Sequence, residues 1–523
     1  MATANTKKWT LRFLTVLFGL LVTVFFEFIL QLSGFGQSYD LVVAGKSQEH
    51  SDKYSLNSQY IALHYFHHLP IKLDSLFHQD PWFADTEFAK IKPENSYRIF
   101  LVGASTTRGF PYSTRNISYS GFARNILHDV LPDKKIEVIN AGYDALSSFG
   151  VLDIVHTITD YSPDLIIVYS GHNEFIGHFG VSSTVDRGRN RWVITFIQQL
   201  QHSRLYLLNE LLLLKLKSLG KPPPSRQEGV NLFRVMLDQE RIHWNEVDHK
   251  ISETNYESNL QEIAEIGKRK GVAIIFSTLV SNLKDFSPVS SEFAPSLSQT
   301  DRSAIRKNLQ KGEQAMENKK YAKGMQFFKA SIAIDPGYAE SHFDLARAYE
   351  KQSEFKLAQD EYELARENDK IHLRACLRLN KIIRKVGFKN HVPVIEMERA
   401  FEQASENGLV GNNLFLEHVH PNINGHLIIA DAISHFLAPH NYIEPEAHWN
   451  WKRLHSASEY VKASGFDRNE YVHAQTTVGR LLLDFPFFKC KQGVEILNSV
   501  QQAERESKLI ENCFRRVAEP HSL

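Results

Sequence analysis

Two segments of this chain carry the residue types that nucleophilic catalysis requires. Ser105 follows Gly103-Ala104 at the end of an apolar run, and His420 follows Glu417 by three residues. A serine hydroxyl becomes an effective nucleophile when a base takes its proton, and a carboxylate can orient an imidazole as that base. The residue types therefore predict a serine that attacks an acyl carbonyl, provided that the fold brings these side chains together. His418 is a competing base.

The pattern around these residues predicts the elements that must position them. Apolar runs at 97–102, 136–140, 165–169 and 272–277 predict buried strands, and helical stretches separate them. Strands that alternate with helices are typical of a parallel sheet with helices on its faces. Functional groups in such sheets gather beyond the carboxyl ends of the strands, where Ser105, Asn140-Ala141-Gly142 and Gly171-His172-Asn173-Glu174 stand.

A helical repeat interrupts this pattern between 303 and 370. Small or aromatic residues recur with a period of 34, in the pairs Tyr321 and Phe355, Gly324 and Ala358, Phe328 and Tyr362, and Ser331 and Ala365. This is the period of the tetratricopeptide repeat (TPR), and the alternative is an ordinary pair of helical hairpins. A TPR unit would present a concave face to a protein or peptide partner, and a flanking helix at about 372–386 should cap it.

The N-terminus predicts a membrane anchor. Lys7, Lys8 and Arg12 precede an apolar run from Phe13 to Leu30 that only Glu27 interrupts. About 20 residues of helix cross a ~30 Å hydrocarbon core. A cleaved signal peptide is the alternative, but no small-residue cleavage site stands out after the run. The flanking charges predict a cytoplasmic N-terminus and an extracytoplasmic body, which would be periplasmic in a bacterium.

A second apolar stretch, from 192 to 219, contains the leucine-rich run 205–214. It predicts either a helical cap packed on the catalytic core, which we favour, or a helix in the membrane interface.

Composition excludes several classes of function. The chain of 523 residues has 60 basic and 60 acidic residues, so no basic field for nucleic acid is expected. Its three cysteines include no CxxC pair, so neither a disulfide framework nor a structural zinc site is expected. No ligand cluster or phosphate-binding glycine loop is evident, and we expect no metal and no cofactor.

Four segments of the chain resemble, in order and content, the blocks of the SGNH/GDSL hydrolases. They are Gly103-Ala104-Ser105, Asn140-Ala141-Gly142, Gly171-His172-Asn173-Glu174 and Glu417-His418-Val419-His420-Pro421-Asn422. The resemblance covers roughly 93–180, 255–290 and 372–438, and Lys92-Pro93 and Phe110-Pro111-Tyr112 are similar to membrane-linked, TPR-containing members. It implies a flavodoxin-like α/β/α sandwich. Ala104 stands where the family has aspartate, and Glu417 also replaces an aspartate.

The resemblance also implies the roles of individual residues. Ser105 would be the nucleophile, His420 the base and Glu417 its partner, since Pro421-Asn422 aligns His420 rather than His418 with the family motif. The backbone amides of Ser105 and Gly142 and the side-chain amide of Asn173 would form the oxyanion hole. For the remaining polar residues we expect a structural side chain at His172, a helix-surface residue at His426, and loop residues at Asp144 and Asp164.

The resulting hypothesis is a membrane-anchored serine esterase that acts on acyl esters of the cell envelope, such as acetyl esters on glycans or lipid esters. An O-acyltransferase with the same acyl-enzyme is an alternative, as is a TPR scaffold with a vestigial hydrolase domain. The expected organisation is an anchor at 1–32, a stalk at 33–92, a first hydrolase part at 93–302, the TPR insertion at 303–371, a second hydrolase part at 372–440 and a helical tail at 441–523.

Overall fold

The computed structural model describes residues 2–45, 50–66, 86–183, 190–218, 232–237 and 245–518. The chain divides into two compact units, the first formed by 1–81 with 187–230 and the second by 82–186 with 231–523. The strands are β1 (Val42–Ala44), β2 (Lys53–Leu56), β3 (Glu87–Ala89), β4 (Ser96–Gly103), β5 (Lys135–Gly142), β6 (Leu165–Tyr169), β7 (Ala273–Ser277) and β8 (Val394–Ile395).

The helices are α1 (Ala2–Leu32), α2 (Ser58–Ile61), α3 (Ser105–Arg108), α4 (Tyr119–Val130), α5 (Ser148–Ile158), α6 (Arg191–Gln201), α7 (Arg204–Ser218), α8 (Leu232–Met236), α9 (Glu246–Lys270), α10 (Gln299–Glu317), α11 (Tyr321–Ile334), α12 (Ala339–Lys351), α13 (Phe355–Glu367), α14 (Leu377–Asn390), α15 (Met397–Gln403), α16 (Ile423–Leu437), α17 (Ala457–Ala463), α18 (Arg468–Leu483), α19 (Cys490–Ser499) and α20 (Ser507–Ala518).

A five-stranded parallel sheet forms the centre of the second unit, in the order β5-β4-β6-β7-β8. All five residues of β6 are buried, as in strands that are covered on both faces. Helices α4 and α16 contact each other, and α9 contacts α5 and α14, which gives two groups of covering helices. The prediction of a parallel α/β sheet is confirmed. Strand β8 was not predicted, because a two-residue strand has no detectable period.

Helices α10 to α13 form two successive helical hairpins in the predicted repeat region. Tyr321 and Phe355, which are one period apart, begin the second helix of each hairpin. Phe328 and Tyr362 are both buried at the equivalent position inside each hairpin. The 34-residue period therefore corresponds to a repeated packing position, while the TPR assignment and its partner remain predictions.

The first unit is held together by contacts of α7. The Glu27 carboxylate of α1 accepts hydrogen bonds from the backbone amides of Arg204 and Leu205, both at 2.9 Å, at the start of α7. Arg204 also pairs with Asp40 at 2.7 Å. The described residues 190–218 therefore lie in the same unit as the N-terminal segment, whereas the sequence grouped them with the hydrolase part at 93–302.

The segment 33–92, predicted as a stalk and lead-in, contains short strands and a helix in its described part, and its role as a stalk stays a prediction. Strands β1 and β2 pair antiparallel, with Val42 opposite Leu56. Tyr65 and Phe66, which follow α2, are fully buried. The alternating strand pattern is too short to detect in sequence, and residues 67–85 of this segment lie outside the described residues.

The C-terminal tail is helical, as predicted, and it contains a disulfide between Cys490 and Cys513. The bond links α19 to α20 beside Leu483 and Leu497 in a buried cluster. Although no framework of several disulfides was expected, this one pair forms because packing brings together two cysteines that are 23 residues apart.

Gly312 tests the packing of the helical hairpins. A Cβ atom at this position would lie 2.3 Å from Cε1 of the buried Phe328 ring. We expect Gly312→Ala to lower the free energy of unfolding, because overpacking costs about 1–3 kcal/mol and the gain in helix propensity is at most about 1 kcal/mol. Gly337→Ala is the matched control, since its Cβ would meet its nearest atom at 3.5 Å. Denaturant midpoints that fall equally for both variants would contradict this packing.

Candidate active site

The nucleophile candidate lies on a tight turn beyond β4. Gly103 ends the strand opposite Gly142 of β5 and Tyr169 of β6. A Cβ atom at Gly103 would lie 2.3 Å from the Tyr169 carbonyl oxygen, so only glycine allows this close approach. Ser105 then begins α3, and the backbone amide of a first helical residue has no acceptor within its own helix. The turn thus presents both a hydroxyl and an amide at the sheet edge.

The base candidate lies in a short loop that closes on itself. Phe415 and Pro421 form an antiparallel bridge, and the Leu416 amide donates to the His420 carbonyl at 2.9 Å. The fully buried Glu417 side chain accepts the backbone amide of His420 at 3.0 Å and that of His418 at 2.6 Å. These bonds neutralise much of the cost of burying a carboxylate. They also fix its orientation.

The structure brings Ser105, His420 and Glu417 together. The Nδ1 atom of His420 contacts the Glu417 carboxylate, and its Nε2 atom lies 2.7 Å from the Ser105 hydroxyl oxygen. The Thr106 hydroxyl donates to the Val419 carbonyl at 3.3 Å, which joins the two segments beside the reactive groups. A hydroxyl, an imidazole and a carboxylate in this order have the geometry of a serine triad.

His418 is the competing base, and its ring occupies a different environment. It packs against Phe286 and Phe487, with ring centroids at 5.6 and 4.9 Å. Burial lowers its pKa well below the ordinary value. Among the hydrogen bonds of the described residues, Ser105 Oγ is bonded to His420 and not to His418. The geometry favours His420 as the base.

The surroundings of His420 include three residues that the sequence analysis did not identify as neighbours of the base. Burial lowers the pKa of His420 to about 3, while the Asp144 carboxylate raises it and the Arg108 guanidinium lowers it. Arg108 and Asp144 form an ion pair at 3.5 Å. The Phe110 ring lies 4.5 Å from the imidazole, centroid to centroid. A neutral imidazole in the resting site is the form that can accept a proton.

The predicted oxyanion donors Asn173 and Gly142 differ in the hydrogen bonds that they already make. The Asn173 side-chain amide donates one bond to the Leu146 carbonyl at 3.1 Å, and an amide nitrogen carries a second hydrogen. The Gly142 amide, in contrast, donates to the Asn140 side-chain oxygen at 2.9 Å. The Gly142 hydrogen is thus already bonded within the turn, and its role as an oxyanion donor stays a prediction.

The buried Asn140 side chain forms hydrogen bonds with groups around the turn that carries Ser105. Its side-chain nitrogen donates to the Thr107 carbonyl at 2.7 Å and to the Ser120 hydroxyl at 2.7 Å. The Arg115 guanidinium donates to the backbone carbonyl of Asn140 at 3.0 Å. The sequence placed Asn140 near the end of this strand, but only the packing shows which groups its side chain bonds.

The remaining candidates have structural environments. His172 accepts the Ala375 amide at 3.1 Å, as expected of a structural residue. His426 accepts the Tyr119 amide at 3.2 Å and is fully buried, so the prediction of a helix-surface residue is wrong. Burial lowers the pKa of both imidazoles to about 3. Asp164 lies before β6 and accepts the Arg98 amide at 2.6 Å.

Among the described residues, Glu417, His418 and His420 form a group whose ligand atoms could hold a cation. Their potential ligand atoms lie within 4.8 Å of one another. The Glu417 oxygens, however, already accept the amides of His418 and His420 and contact both imidazoles. The Glu417 carboxylate is thus already engaged by these groups, and the expectation of a metal-free and cofactor-free site stays a prediction.

A cavity of about 470 Å³ lies behind the Glu417 loop. Residues near the catalytic loop and residues of the C-terminal helices line it together, among them Tyr112, Phe415, Leu416, Phe466, Gln475 and Gln492. Ligand pockets commonly have this size. The C-terminal tail therefore packs against the catalytic part of the second unit.

Comparison with known proteins finds no matching family model and no matching curated protein. Among solved structures, the chain is similar to an acetylxylan esterase from Geobacillus stearothermophilus (12% identity, 67% of this chain and 96% of that chain, TM-score 0.30). It is also similar to a GDSL-like lipase from Bacteroides thetaiotaomicron (11% identity, 67% and 91%, TM-score 0.28) and a lipase/acylhydrolase from Enterococcus faecalis (13% identity, 65% and 95%, TM-score 0.29). At these values, family and activity must be inferred from the geometry of the site.

Glu174, next to Asn173, should make stability depend on pH. Its buried carboxyl group accepts the amide and the hydroxyl of Ser148, and burial raises its pKa to about 7. A raised pKa stabilises the fold at low pH, and this contribution is lost as the pH rises from about 4.5 through about 7. We therefore expect Glu174→Gln to raise the melting temperature relative to wild type more at pH 8 than at pH 5. The gain in free energy of unfolding should be larger at pH 8 by about 1–3 kcal/mol.

Glu317→Gln is the control for this experiment, because Glu317 is exposed. Thermal unfolding of the three proteins at both pH values provides the measurement. A Glu174→Gln gain that is the same at pH 5 and pH 8 would show that Glu174 does not ionise in this range.

Proposed function

We propose that this chain is a serine ester hydrolase. The observation that carries the proposal is the hydrogen bond of 2.7 Å between Ser105 Oγ and His420 Nε2, with Glu417 on the opposite nitrogen of the imidazole. These groups come from segments 315 residues apart and meet at one edge of a parallel sheet. The ester-active proteins with similar structures, named above, are compatible with this chemistry.

In the proposed reaction, Ser105 Oγ attacks the acyl carbonyl while His420 Nε2 takes the hydroxyl proton. Glu417 stabilises the imidazolium that results. His420 then gives this proton to the departing alkoxide, which leaves as an alcohol and produces an acyl-enzyme. Water attacks the acyl-enzyme with His420 again as the base, which releases the carboxylic acid and restores the Ser105 hydroxyl.

The developing oxyanion would be stabilised by two donors of the chain. The Ser105 amide at the start of α3 and the second hydrogen of the Asn173 side-chain nitrogen are the groups we assign. Losing one such donor typically lowers turnover by about 10²–10³. Asn140 is a positioning residue in this scheme, because it bonds the turn and not the substrate.

We further propose that the enzyme is anchored in a membrane by α1 and acts outside the cytoplasm. Within helix residues Lys8–Leu32, an 18-residue window has a mean hydropathy of 2.5, and none of that window is buried. The basic residues before the span favour a cytoplasmic N-terminus. The disulfide between Cys490 and Cys513 supports an oxidising compartment for the body of the chain. Acyl esters of the cell envelope, including acetyl esters of glycans, are the substrates we propose.

The nucleophile and base can be tested with p-nitrophenyl esters of increasing acyl length. We expect Ser105→Ala and His420→Gln each to lower kcat by about 10⁴- to 10⁶-fold, because the triad acts as a unit. His418→Gln is the matched control and should retain most of the wild-type rate. Thermal unfolding of each variant shows whether the fold is intact.

A Ser105→Ala protein with the wild-type rate would exclude Ser105 as the nucleophile. A rate that falls as the acyl chain grows would support acetyl esters.

The pH dependence tests the environment of His420. Activity is lost as the pH falls through the pKa of the base, so burial should place the acid limb of kcat/KM below pH 6.5. Asp144→Asn removes a charge that raises this pKa, and Arg108→Gln removes one that lowers it. We therefore expect the limb to move to lower pH in the first variant and to higher pH in the second. Shifts in the same direction would contradict the assignment of the base.

A further inference from the structure

Helix α6 of the first unit turns polar side chains toward the protein. Ile194, Gln198 and Gln201 are its buried residues. The Gln198 side chain donates to the Tyr65 hydroxyl at 3.3 Å, and the Gln201 side chain donates to the His64 carbonyl at 2.9 Å. The polar groups on this face are therefore bonded inside the unit and not to solvent.

The opposite face of α6 is apolar and exposed. Trp192, Phe196 and Leu200 follow one another at a spacing of four and are 70%, 48% and 40% exposed. The rings of Trp192 and Phe196 stack with their centroids 5.6 Å apart, which makes a continuous surface. A helix that faces water has the reverse arrangement, with its apolar stripe toward the core. An exposed apolar stripe of this kind marks an interaction surface.

Helix α7 also exposes large apolar side chains. Leu212, Leu213 and Leu216 are 50%, 49% and 61% exposed, and their spacing of one, three and four places them on one side of the helix. Helix α7 contacts both α6 and α1. Three contacting helices of the first unit thus expose large apolar side chains.

The contact between α7 and α1 defines where along the anchor α7 begins. The Glu27 carboxylate binds the first backbone amides of α7, and α1 ends at Leu32. Five residues of helix correspond to about 8 Å, so α7 starts about 8 Å before the outer end of the apolar helix. Interfacial helices bury their apolar face about 5–10 Å into the boundary between headgroups and acyl chains.

We propose that α6 and α7 lie in the outer interface of the lipid bilayer as a second membrane contact beside α1. This inference rests on the proposed anchoring by α1. The occupant of the exposed apolar face is the boundary between phospholipid headgroups and acyl chains, where tryptophan is enriched in membrane proteins. The sequence favoured a cap on the catalytic core, but α6 and α7 belong to the first unit and expose apolar side chains, which is why we propose the interfacial alternative.

Single cysteines in the full-length protein, reconstituted into phosphatidylcholine vesicles, can test the proposal. The native thiols do not interfere, because Cys376 is fully buried and Cys490 is bonded to Cys513. An environment-sensitive fluorophore is attached at Phe196→Cys or Leu216→Cys. Leu20→Cys, at the middle of the apolar helix, reports the anchor itself. Gln352→Cys, at an exposed position of the second unit, is the aqueous control.

We expect the labels at 196 and 216 to emit at shorter wavelength than the label at 352 and to lose quenching by aqueous iodide. Lipids with nitroxides near the headgroup should quench them more than lipids with deep nitroxides, and the label at 20 should show the reverse order. The depth order separates an interfacial helix from a spanning one.

Three results would overturn the inference. Iodide quenching at 196 and 216 with protection at 20 would leave the anchor intact and exclude the interfacial contact. Quenching by iodide at all three positions would exclude the anchor as well. Protection at 196 and 216 from both iodide and lipid nitroxides would indicate that a second copy of the chain covers this face.

Discussion

The hydrogen bond between Ser105 and His420 is the contact on which the proposed chemistry depends. It joins two groups 315 residues apart, so it exists only if the segment between them returns the chain to the sheet edge. The last residues of the helical repeat are bonded to the segment that precedes the repeat, since the Asp369 carboxylate accepts the amides of Val289 and Ser290 at 2.8 and 3.0 Å. The repeat can therefore lie within the catalytic fold without separating its reactive groups. Closing a long loop costs little more than closing a short one.

Burial of the site costs free energy at the Glu417 carboxylate, and it also favours the neutral imidazole that the proposed chemistry requires. A fully buried carboxylate is costly, and Glu417 is stabilised by two backbone amides of its own loop as well as by the imidazole. The same burial lowers the pKa of His420, which keeps the base neutral. Near Ser105, the Asn140 side chain forms hydrogen bonds with the buried backbone carbonyl of Thr107 and the backbone amide of Gly142. Both reactive groups are thus held by buried hydrogen bonds and need no large rearrangement.

Three helices of the first unit, α1, α6 and α7, differ from the second unit in how much of their large apolar side chains they expose. In the second unit the sheet and its helices enclose apolar residues, and β6 is buried throughout. In the first unit α1, α6 and α7 expose theirs, while Gln198 and Gln201 are bonded inside. Apolar surface is stable outside only when something other than water covers it. This difference in environment supports the proposed division between a catalytic unit and a membrane-contacting unit.

The sequence by itself determined the elements with a strong local pattern. The continuous apolar run of β6 was predicted at its observed bounds, the 34-residue period matched the helical hairpins, and α1 followed from its length and composition. For the site, the residue types and their order predicted Ser105, Glu417 and His420, although the choice between His418 and His420 rested on a family resemblance.

Only the tertiary structure decided the features that depend on distant contacts. These features are the pairing of β8, the burial of His426, the hydrogen bond between the Gly142 amide and Asn140, the disulfide between Cys490 and Cys513, and the packing of α7 on α1. Periodicity reports which face of an element is apolar, but it does not report what covers that face or which partner accepts a buried hydrogen. Those outcomes are set by packing between segments that are remote in the chain, and local propensity carries no information about them.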